Sequence, residues 1–134
     1  MQEKKTYEYA VIRLVPLVER EEFLNVGVVL YAAGQKFLQV KFHIDERRLR
    51  ALFGNVDLQE IQKHLESFER ICNGGKDAGA IGELPIAQRF RWLSATRSTV
   101  VQMSKVHTGL TCDPAENLLQ LFEQLVLEPA ISAQ

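Results

Sequence analysis

Residues 23–32 read FLNVGVVLYA, and they form the most apolar run of the chain. A short run of this kind, rich in valine, leucine and tyrosine, is typical of a buried β-strand. Gly27 interrupts the run, which predicts a β-bulge or the close approach of another backbone at that point. The segments on either side of the run predict strands that pair with it.

Three further strands are predicted around this run. Residues 6–15 carry aromatic and β-branched side chains on both faces and end at Pro16, so we expect an interior strand there. Residues 33–35 predict a hairpin turn, after which residues 37–42 alternate apolar and polar side chains, as a half-exposed strand does. A weaker alternation predicts a last strand over residues 98–104.

Aspartate residues mark the start of three helices. Asp45, Asp57 and Asp113 each precede an apolar repeat with helical spacing, and Pro114 follows the last of them in the first helical position. A further helix is expected over residues 86–93. Between these helices, the glycine-rich run GGKDAGAIGELP predicts a mobile surface loop.

The order of these elements indicates the fold class. Strands come first, then helices, then one late strand, which predicts a single α+β domain over residues 1–134. We expect a mainly antiparallel sheet of about four strands with three or four helices packed on it. The core is expected to include Trp92, and Leu119 on the apolar face of the last helix.

Composition excludes several classes of function. The net charge is −1 and the pI is about 6.3, which argues against a dedicated nucleic-acid-binding protein. No signal peptide opens the sequence and no apolar run approaches the roughly 18 residues of a membrane span, so we expect a cytoplasmic protein without membrane contact. Cys72 and Cys112 have no neighbours at metal-ligand spacing. No catalytic or cofactor motif is present, and we predict no cofactor.

Positive charge is concentrated in one interval. Acidic residues are absent from residues 84–112, which contain the run RFRWLSATRSTVV. Arg97, Ser98 and Thr99 fall at a predicted helix-to-strand junction, where amides, hydroxyls and a guanidinium can bind an anion. Arg91 is a further candidate for anion or partner binding. The alternative is that these arginines balance acidic side chains elsewhere on the surface.

Three more residues are candidates for anion or partner binding. His107 lies near a predicted turn and has a pKa suited to acid–base chemistry, although a structural role is the alternative. Glu21 and Asn25 lie in the charged run EREEFLN, where adjacent carboxylates point to opposite sides of an extended chain, so no metal site is predicted. We expect these three residues to surround one pocket or partner surface together with the Arg97 junction.

Two long runs resemble a known family. YEYAVIRLVPLVEREEFLNVGVVLY and RFRWLSATRSTVVQMSKVHTGL, in this order, are similar to the bacterial family DUF 3037, a domain of unknown function. The positions that match its pattern are Arg20, Glu21, Asn25, Gly27, Arg97, Ser98, Thr99, His107 and Gly109, whereas Thr96, Met103 and Thr108 stand where prolines are expected. The resemblance implies a small cytoplasmic protein with no established catalytic residues. Because genes of this family often adjoin one for a HipA-like kinase, it also implies such a kinase as a partner.

These observations favour three functions. The first is a non-enzymatic protein-binding or regulatory module, which an exposed apolar patch rimmed by arginine would support. The alternative is a phosphate- or nucleotide-handling enzyme with Arg97 as anion clamp and His107 as general acid or base, which requires a deep pocket around both. The third is weak nucleic-acid binding, which requires a continuous basic stripe.

Overall fold

The computed structural model describes residues 3–96 and 100–127. The strands are β1 (Lys5–Leu14), β2 (Leu24–Ala32), β3 (Phe37–Phe42), β4 (Val101–Met103) and β5 (His107–Thr111). The helices are α1 (Glu46–Phe53), α2 (Leu58–Asn73), α3 (Gly79–Gly82), α4 (Ile86–Ser94) and α5 (Pro114–Leu125). The fold is therefore α+β, as the sequence predicts.

The five strands form one antiparallel sheet with β1 at its centre. The order is β3-β2-β1, and both β4 and β5 pair with the other edge of β1. Between β4 and β5, Ser104 continues the hydrogen bonding to β1. Its backbone N–H donates to the Val11 carbonyl at 2.9 Å, and its hydroxyl accepts from the Val11 N–H at 2.8 Å. The prediction of an interior strand over β1 is confirmed.

A β-bulge in β2 decides which way Asn25 points. Ile12 pairs with Gly27 and Arg13 pairs with Asn25, so Val26 is an extra residue without a partner position on β1. The extra residue shifts the alternation of side chains by one. Asn25 consequently lies on the same face of the sheet as Arg13, its direct neighbour across the strands.

Gly27 is needed beside this bulge because β3 approaches it closely. A Cβ at this position would lie 2.8 Å from the carbonyl oxygen of Lys41 and 3.0 Å from Cδ1 of Ile12. Distances of this kind exclude a side chain unless the backbone moves. The predicted bulge and the predicted close approach are both confirmed.

Three helices begin at the aspartates that the sequence indicates. The carboxylates of Asp45, Asp57 and Asp113 each accept a hydrogen bond from the backbone N–H three residues later, at the starts of α1, α2 and α5. Each bond satisfies one of the N–H groups that a helix start leaves unpaired. Pro114 occupies the first turn of α5, where its missing N–H costs nothing.

Helices α1, α2 and α4 supply the larger core, on one face of the sheet. The rings of Tyr31 on β2 and Phe90 on α4 stack with centroids 5.3 Å apart. The buried side chains of this core include Ile12, Leu14, Val26, Val29, Leu49, Leu65, Phe68 and Leu93. Burial of these apolar groups is the main force that holds the helices on the sheet.

Helix α5 covers the opposite face, where it packs on β2 and β3. Its side chains Leu118, Phe122 and Val126 join Val28, Leu30, Ala32 and Tyr7 in a second, smaller core. The carbonyl of Leu125 accepts from Asn25 Nδ2 at 3.0 Å, and that of Val126 accepts from Arg48 Nη1 at 3.2 Å. These bonds pair carbonyls that a helix end leaves without partners. Two other β1 residues on this face, Tyr9 and Arg13, are half-buried.

Some predictions were wrong. The glycine-rich run does not form a mobile loop, because residues 76–82 form a 3₁₀ turn followed by α3, and Gly75 N–H donates to Gly82 O at 2.9 Å. Trp92 and Leu119 were expected in the core but are 44% and 39% exposed. Among the residues described, no helix is both long and apolar enough to span a bilayer.

The end of the sheet also differs from the prediction. In place of one strand over residues 98–104, the described part of this region holds β4 and then β5. Gly109, interpreted as a turn residue, lies within β5 opposite Tyr7. A Cβ on Gly109 would be 2.7 Å from atoms of the Tyr7 ring, so the glycine makes room for that ring inside a strand.

Candidate functional site

The Arg97 junction lies outside the described part of the chain. Arg97, Ser98 and Thr99, the first three predicted site residues, are not among residues 3–96 and 100–127. Directly after them, the carbonyl of Val100 accepts from the Val15 N–H at 2.6 Å, beyond the end of β1. The predicted anion site at Arg97 therefore stays a prediction.

The other arginines of the acid-free interval have different surroundings. Arg91 is exposed on α4. Arg89 is half-buried and donates three hydrogen bonds to backbone carbonyls, through Nη1 to Ile71 at 2.7 Å and to Cys72 at 2.8 Å, and through Nε to Leu84 at 3.0 Å. The first two carbonyls belong to the last turn of α2, where helical partners are lacking. Arg89 thus ties α2 to α4, a structural role that the sequence pattern did not indicate.

The thiol next to this contact is inert. Burial raises the pKa of Cys72 to about 12, while the positive charge of Arg89 opposes that shift and Glu69 adds to it. A thiol with so high a pKa is protonated at neutral pH and is a poor nucleophile. Cys112, the other free thiol, is exposed. Cys72 is thus a buried structural residue of α2.

His107 takes part in a row of aromatic rings. It stands opposite Tyr9 on β1, and the two rings stack with centroids 5.0 Å apart. Tyr9 in turn stacks on Tyr7, with centroids 6.1 Å apart. Among the described residues, the contacts of His107 are those of a structural ring, which agrees with the alternative role that the sequence left open.

Asn25 and Glu21 lie in different surroundings. Asn25 Nδ2 binds the Leu125 carbonyl, as described above, whereas its Oδ1 atom is buried without a hydrogen-bond partner in the described chain. Glu21 is exposed in the loop between β1 and β2 and has a left-handed backbone, with φ of 55°. Left-handed backbone in a residue other than glycine costs about 1–2 kcal/mol. Among the described residues, Glu21 lines a surface cleft whose lining includes neither Asn25 nor His107, and the prediction of one pocket shared with the Arg97 junction stays a prediction.

Arg13, which the sequence interpretation passed over, is the unusual charged residue of this face. It lies on the central strand between Asn25 on β2 and Gln102 on β4, as the middle member of a polar row across three strands. Its guanidinium carbon lies 4.2 Å from the centre of the Phe23 ring, a cation–π distance. Its Nε atom is buried and has no hydrogen-bond partner among the described residues. No described carboxylate forms an ion pair with it.

A cleft of about 290 Å³ opens at this arginine. We call it the Arg13 cleft; its lining residues are Arg13, Val15, Val18, Glu21, Phe23, Gln102 and Met103. Three apolar side chains of the adjoining loop are strongly exposed: Leu17 by 40%, Val18 by 50% and Phe23 by 44%. An apolar rim around an unpaired cation is a surface suited to binding an anionic group with an apolar neighbour.

A larger groove, of about 660 Å³, lies at the start of α1 and along α2. Its charged side chains include Glu46, which pairs with Arg50 at 2.9 Å, and Glu66, which accepts from Gln62 at 3.0 Å. Both interactions occur within a single helix and already satisfy these carboxylates. We therefore place the candidate site at the Arg13 cleft.

No metal centre competes with this choice within residues 3–96 and 100–127. There, no three His, Cys, Asp or Glu side chains lie close enough together to hold a metal ion. Arg20 and Glu22, from the charged run beside the cleft, form an exposed ion pair with each other. The cleft therefore offers one guanidinium, the Glu21 carboxylate, the Gln102 amide and apolar surface.

Comparison with known proteins agrees with the resemblance seen in the sequence. Neither the curated proteins nor the solved structures contain a match to this chain. A family model described as "Protein of unknown function (DUF3037)" matches residues 9–126, a span that runs from β1 to the end of α5 and includes the Arg13 cleft. The chain therefore belongs to the DUF3037 family.

Proposed function

We propose that this protein is a non-enzymatic, cytoplasmic binding module that holds a partner protein at the Arg13 cleft. The observation that carries the proposal is the exposure of Val18 and Phe23 beside a guanidinium with no ion-pair partner among the described residues. Arginine and large apolar side chains are the usual anchors of protein interfaces, where the partner removes them from water.

The first partner to test is a HipA-like kinase, which the family resemblance implies. Its binding energy would come from apolar contact with the loop between β1 and β2 and from a charged contact with Arg13. Such a surface binds without chemistry of its own, since the cleft contains neither a histidine nor a thiol. A regulatory module of this kind acts by changing the partner's conformation or access to its substrates.

The two other functions have less support from the geometry. The enzyme hypothesis needs His107 in a pocket with an anion clamp, whereas His107 stacks on Tyr9 in the described chain. The nucleic-acid hypothesis needs a continuous basic stripe, but the guanidinium of Arg89 is used by backbone carbonyls. The nucleic-acid hypothesis would be favoured if the protein bound single-stranded RNA more tightly than the kinase and if that affinity fell with added salt.

The experiment is a calorimetric titration of this chain with a HipA-like kinase from the same organism. Phe23→Ala is the test variant and Trp92→Ala is its control, because both aromatic side chains are 44% exposed. Trp92 lies on α4, which packs on the opposite face of the sheet. We expect Phe23→Ala to weaken binding by about tenfold or more, the loss typical of an aromatic anchor.

Each outcome decides one part of the proposal. If wild type and Trp92→Ala bind alike and Phe23→Ala binds weakly, the cleft is the interface. Equal binding by all three proteins would place the interface elsewhere. Absence of any heat change with the kinase would remove the kinase as the partner.

A further inference from the structure

We propose that the Arg13 cleft selects an acidic side chain, Asp or Glu, that stands next to an apolar residue in the bound partner. This inference rests on the proposed function and specifies the chemistry of its site. The reasons are the charge of Arg13, the donors around it and the apolar lining of the cleft.

The charge of the cleft calls for a single negative group. Arg13 has no ion pair with a described residue, and a half-buried cation without a counter-charge is unfavourable in a protein of low local dielectric. Its guanidinium carbon lies over the Phe23 ring, and the N–H groups of a guanidinium point outward in its own plane, so hydrogen bonds form at its edges. An edge of this kind matches the two oxygens of a carboxylate, in the bidentate pairing that arginine commonly makes.

Nε is not the donor in this pairing. It is buried, so an incoming oxygen cannot reach it without movement of the side chain. The two terminal nitrogens, Nη1 and Nη2, are not among the buried unpaired atoms, and no described residue accepts a hydrogen bond from them. They are therefore open to the cleft. We therefore expect an end-on carboxylate, held by both terminal nitrogens of Arg13.

Phosphate fits this cleft less well. Phosphate sites combine several donors, often at the positive N-terminal end of a helix. The helix end next to the polar row is instead the C-terminal end of α5, where Leu125 presents a carbonyl to Asn25. That end carries partial negative charge, and Glu21 adds a carboxylate to the lining. A monoanion is favoured over a dianion in such surroundings.

A free C-terminal carboxylate also fits less well than a side chain. Sites for chain ends use backbone N–H groups as donors. In the loop beside the cleft, the N–H of Arg20 donates to the Leu17 carbonyl at 3.0 Å and that of Glu21 to the Val18 carbonyl at 3.1 Å. These two N–H groups are already used, so recognition depends on the side-chain donors of the cleft, Arg13 above all.

The apolar lining explains the neighbour that we assign to the acidic side chain. Val15, Val18, Phe23 and Met103 make up more than half of the residues around the cleft. A leucine or similar side chain next to the carboxylate would cover this surface and exclude water from the ion pair. The charged contact is then stronger than it would be on an open surface.

Capped pentapeptides test this specificity directly. The probe is acetyl-Ser-Leu-Glu-Leu-Ser-amide, and its counterparts replace the glutamate by glutamine or both leucines by serine. Inorganic phosphate and acetyl-Ser-Leu-Leu with a free carboxyl terminus complete the set. Binding is followed by ¹H–¹⁵N NMR, with the backbone signals of Phe23 and Gln102 and the side-chain Nε–H signal of Arg13 as reporters.

We expect the glutamate peptide to shift these signals saturably. The glutamine and serine counterparts should bind at least about tenfold more weakly, since a shielded carboxylate–arginine pair contributes at least that factor. Arg13→Met should abolish the shifts at Phe23 and Gln102, while Arg91→Met, which changes an exposed arginine, should leave them intact. A folded spectrum of Arg13→Met shows that the loss comes from the missing guanidinium.

Other results would overturn the inference. Tighter binding of phosphate would make the cleft a phosphate site, and tighter binding of the free-acid tripeptide would make it a site for chain ends. Equal binding of the glutamate and glutamine peptides would show that charge plays no part. These outcomes leave the proposed function intact if Phe23→Ala still weakens kinase binding, so the two claims can fail separately.

Discussion

Arg13 on β1 stands directly opposite Asn25 on β2, and Arg13 Nε and Asn25 Oδ1 are both buried without a hydrogen-bond partner among the described residues. One atom is a donor and the other an acceptor, yet no hydrogen bond joins them. Leaving such groups unpaired costs about 1–3 kcal/mol for each. These two atoms therefore do not add to the stability of the sheet, which leaves Arg13 open to a role in binding.

Replacing the arginine by an apolar residue should therefore not harm the fold. We expect Arg13→Met to be as stable as wild type or about 1 kcal/mol more stable, because removal of an unpaired buried donor outweighs a cation–π contact of about 0.5–1 kcal/mol. Urea denaturation measures the free energy of unfolding, with Arg91→Met as the control on an exposed helix surface. A loss of more than about 1 kcal/mol in Arg13→Met alone would mean that Arg13 serves the fold.

Arg89 should show the opposite behaviour. Its three hydrogen bonds to the carbonyls of Ile71, Cys72 and Leu84 hold the end of α2 against α4. We expect Arg89→Met to lower the free energy of unfolding by about 2–3 kcal/mol, because charge-assisted bonds are lost and buried carbonyls remain unpaired. Arg91→Met, two positions along the same helix, should change it by less than about 0.5 kcal/mol. Equal effects of the two substitutions would contradict the structural role of Arg89.

The sequence predicts the helix starts and the first three strands well because their signals are local. Asp45, Asp57 and Asp113 cap helices through bonds within three residues of chain. The strand β5 was missed because its glycine resembles a turn, and only the ring of Tyr7 on another strand explains Gly109.

The site was harder to predict for a related reason. Arg13 is one charged residue within an apolar strand, and its surroundings depend on the bulge at Val26 and on where α5 ends. Neither feature is encoded near Arg13 in the sequence. The family-pattern residues Glu21 and Asn25 lie in the same part of the fold as this candidate site, since one lines the Arg13 cleft and the other stands beside Arg13.

The two thiols should differ in reactivity. Burial raises the pKa of Cys72 to about 12, so the folded protein keeps this thiol almost fully protonated at pH values well below that, whereas Cys112 is exposed. With iodoacetamide at about pH 8, we expect mass spectrometry to show one rapid modification, at Cys112, and a second only after unfolding in urea. Raising the pH to about 9 should still leave Cys72 unmodified in the folded protein, because its thiol stays protonated there. Modification of Cys72 in the folded protein at a similar rate would contradict its burial.

The most direct test of the central claim is the affinity of Arg13→Met for the HipA-like kinase, measured by calorimetry beside wild type and Arg91→Met. Because Arg13 belongs to the proposed binding surface, Arg13→Met should bind the kinase at least about tenfold more weakly. Its free energy of unfolding should be unchanged or higher. Arg91→Met should bind within about twofold of wild type. Undiminished binding of the kinase by a folded Arg13→Met variant would contradict the account.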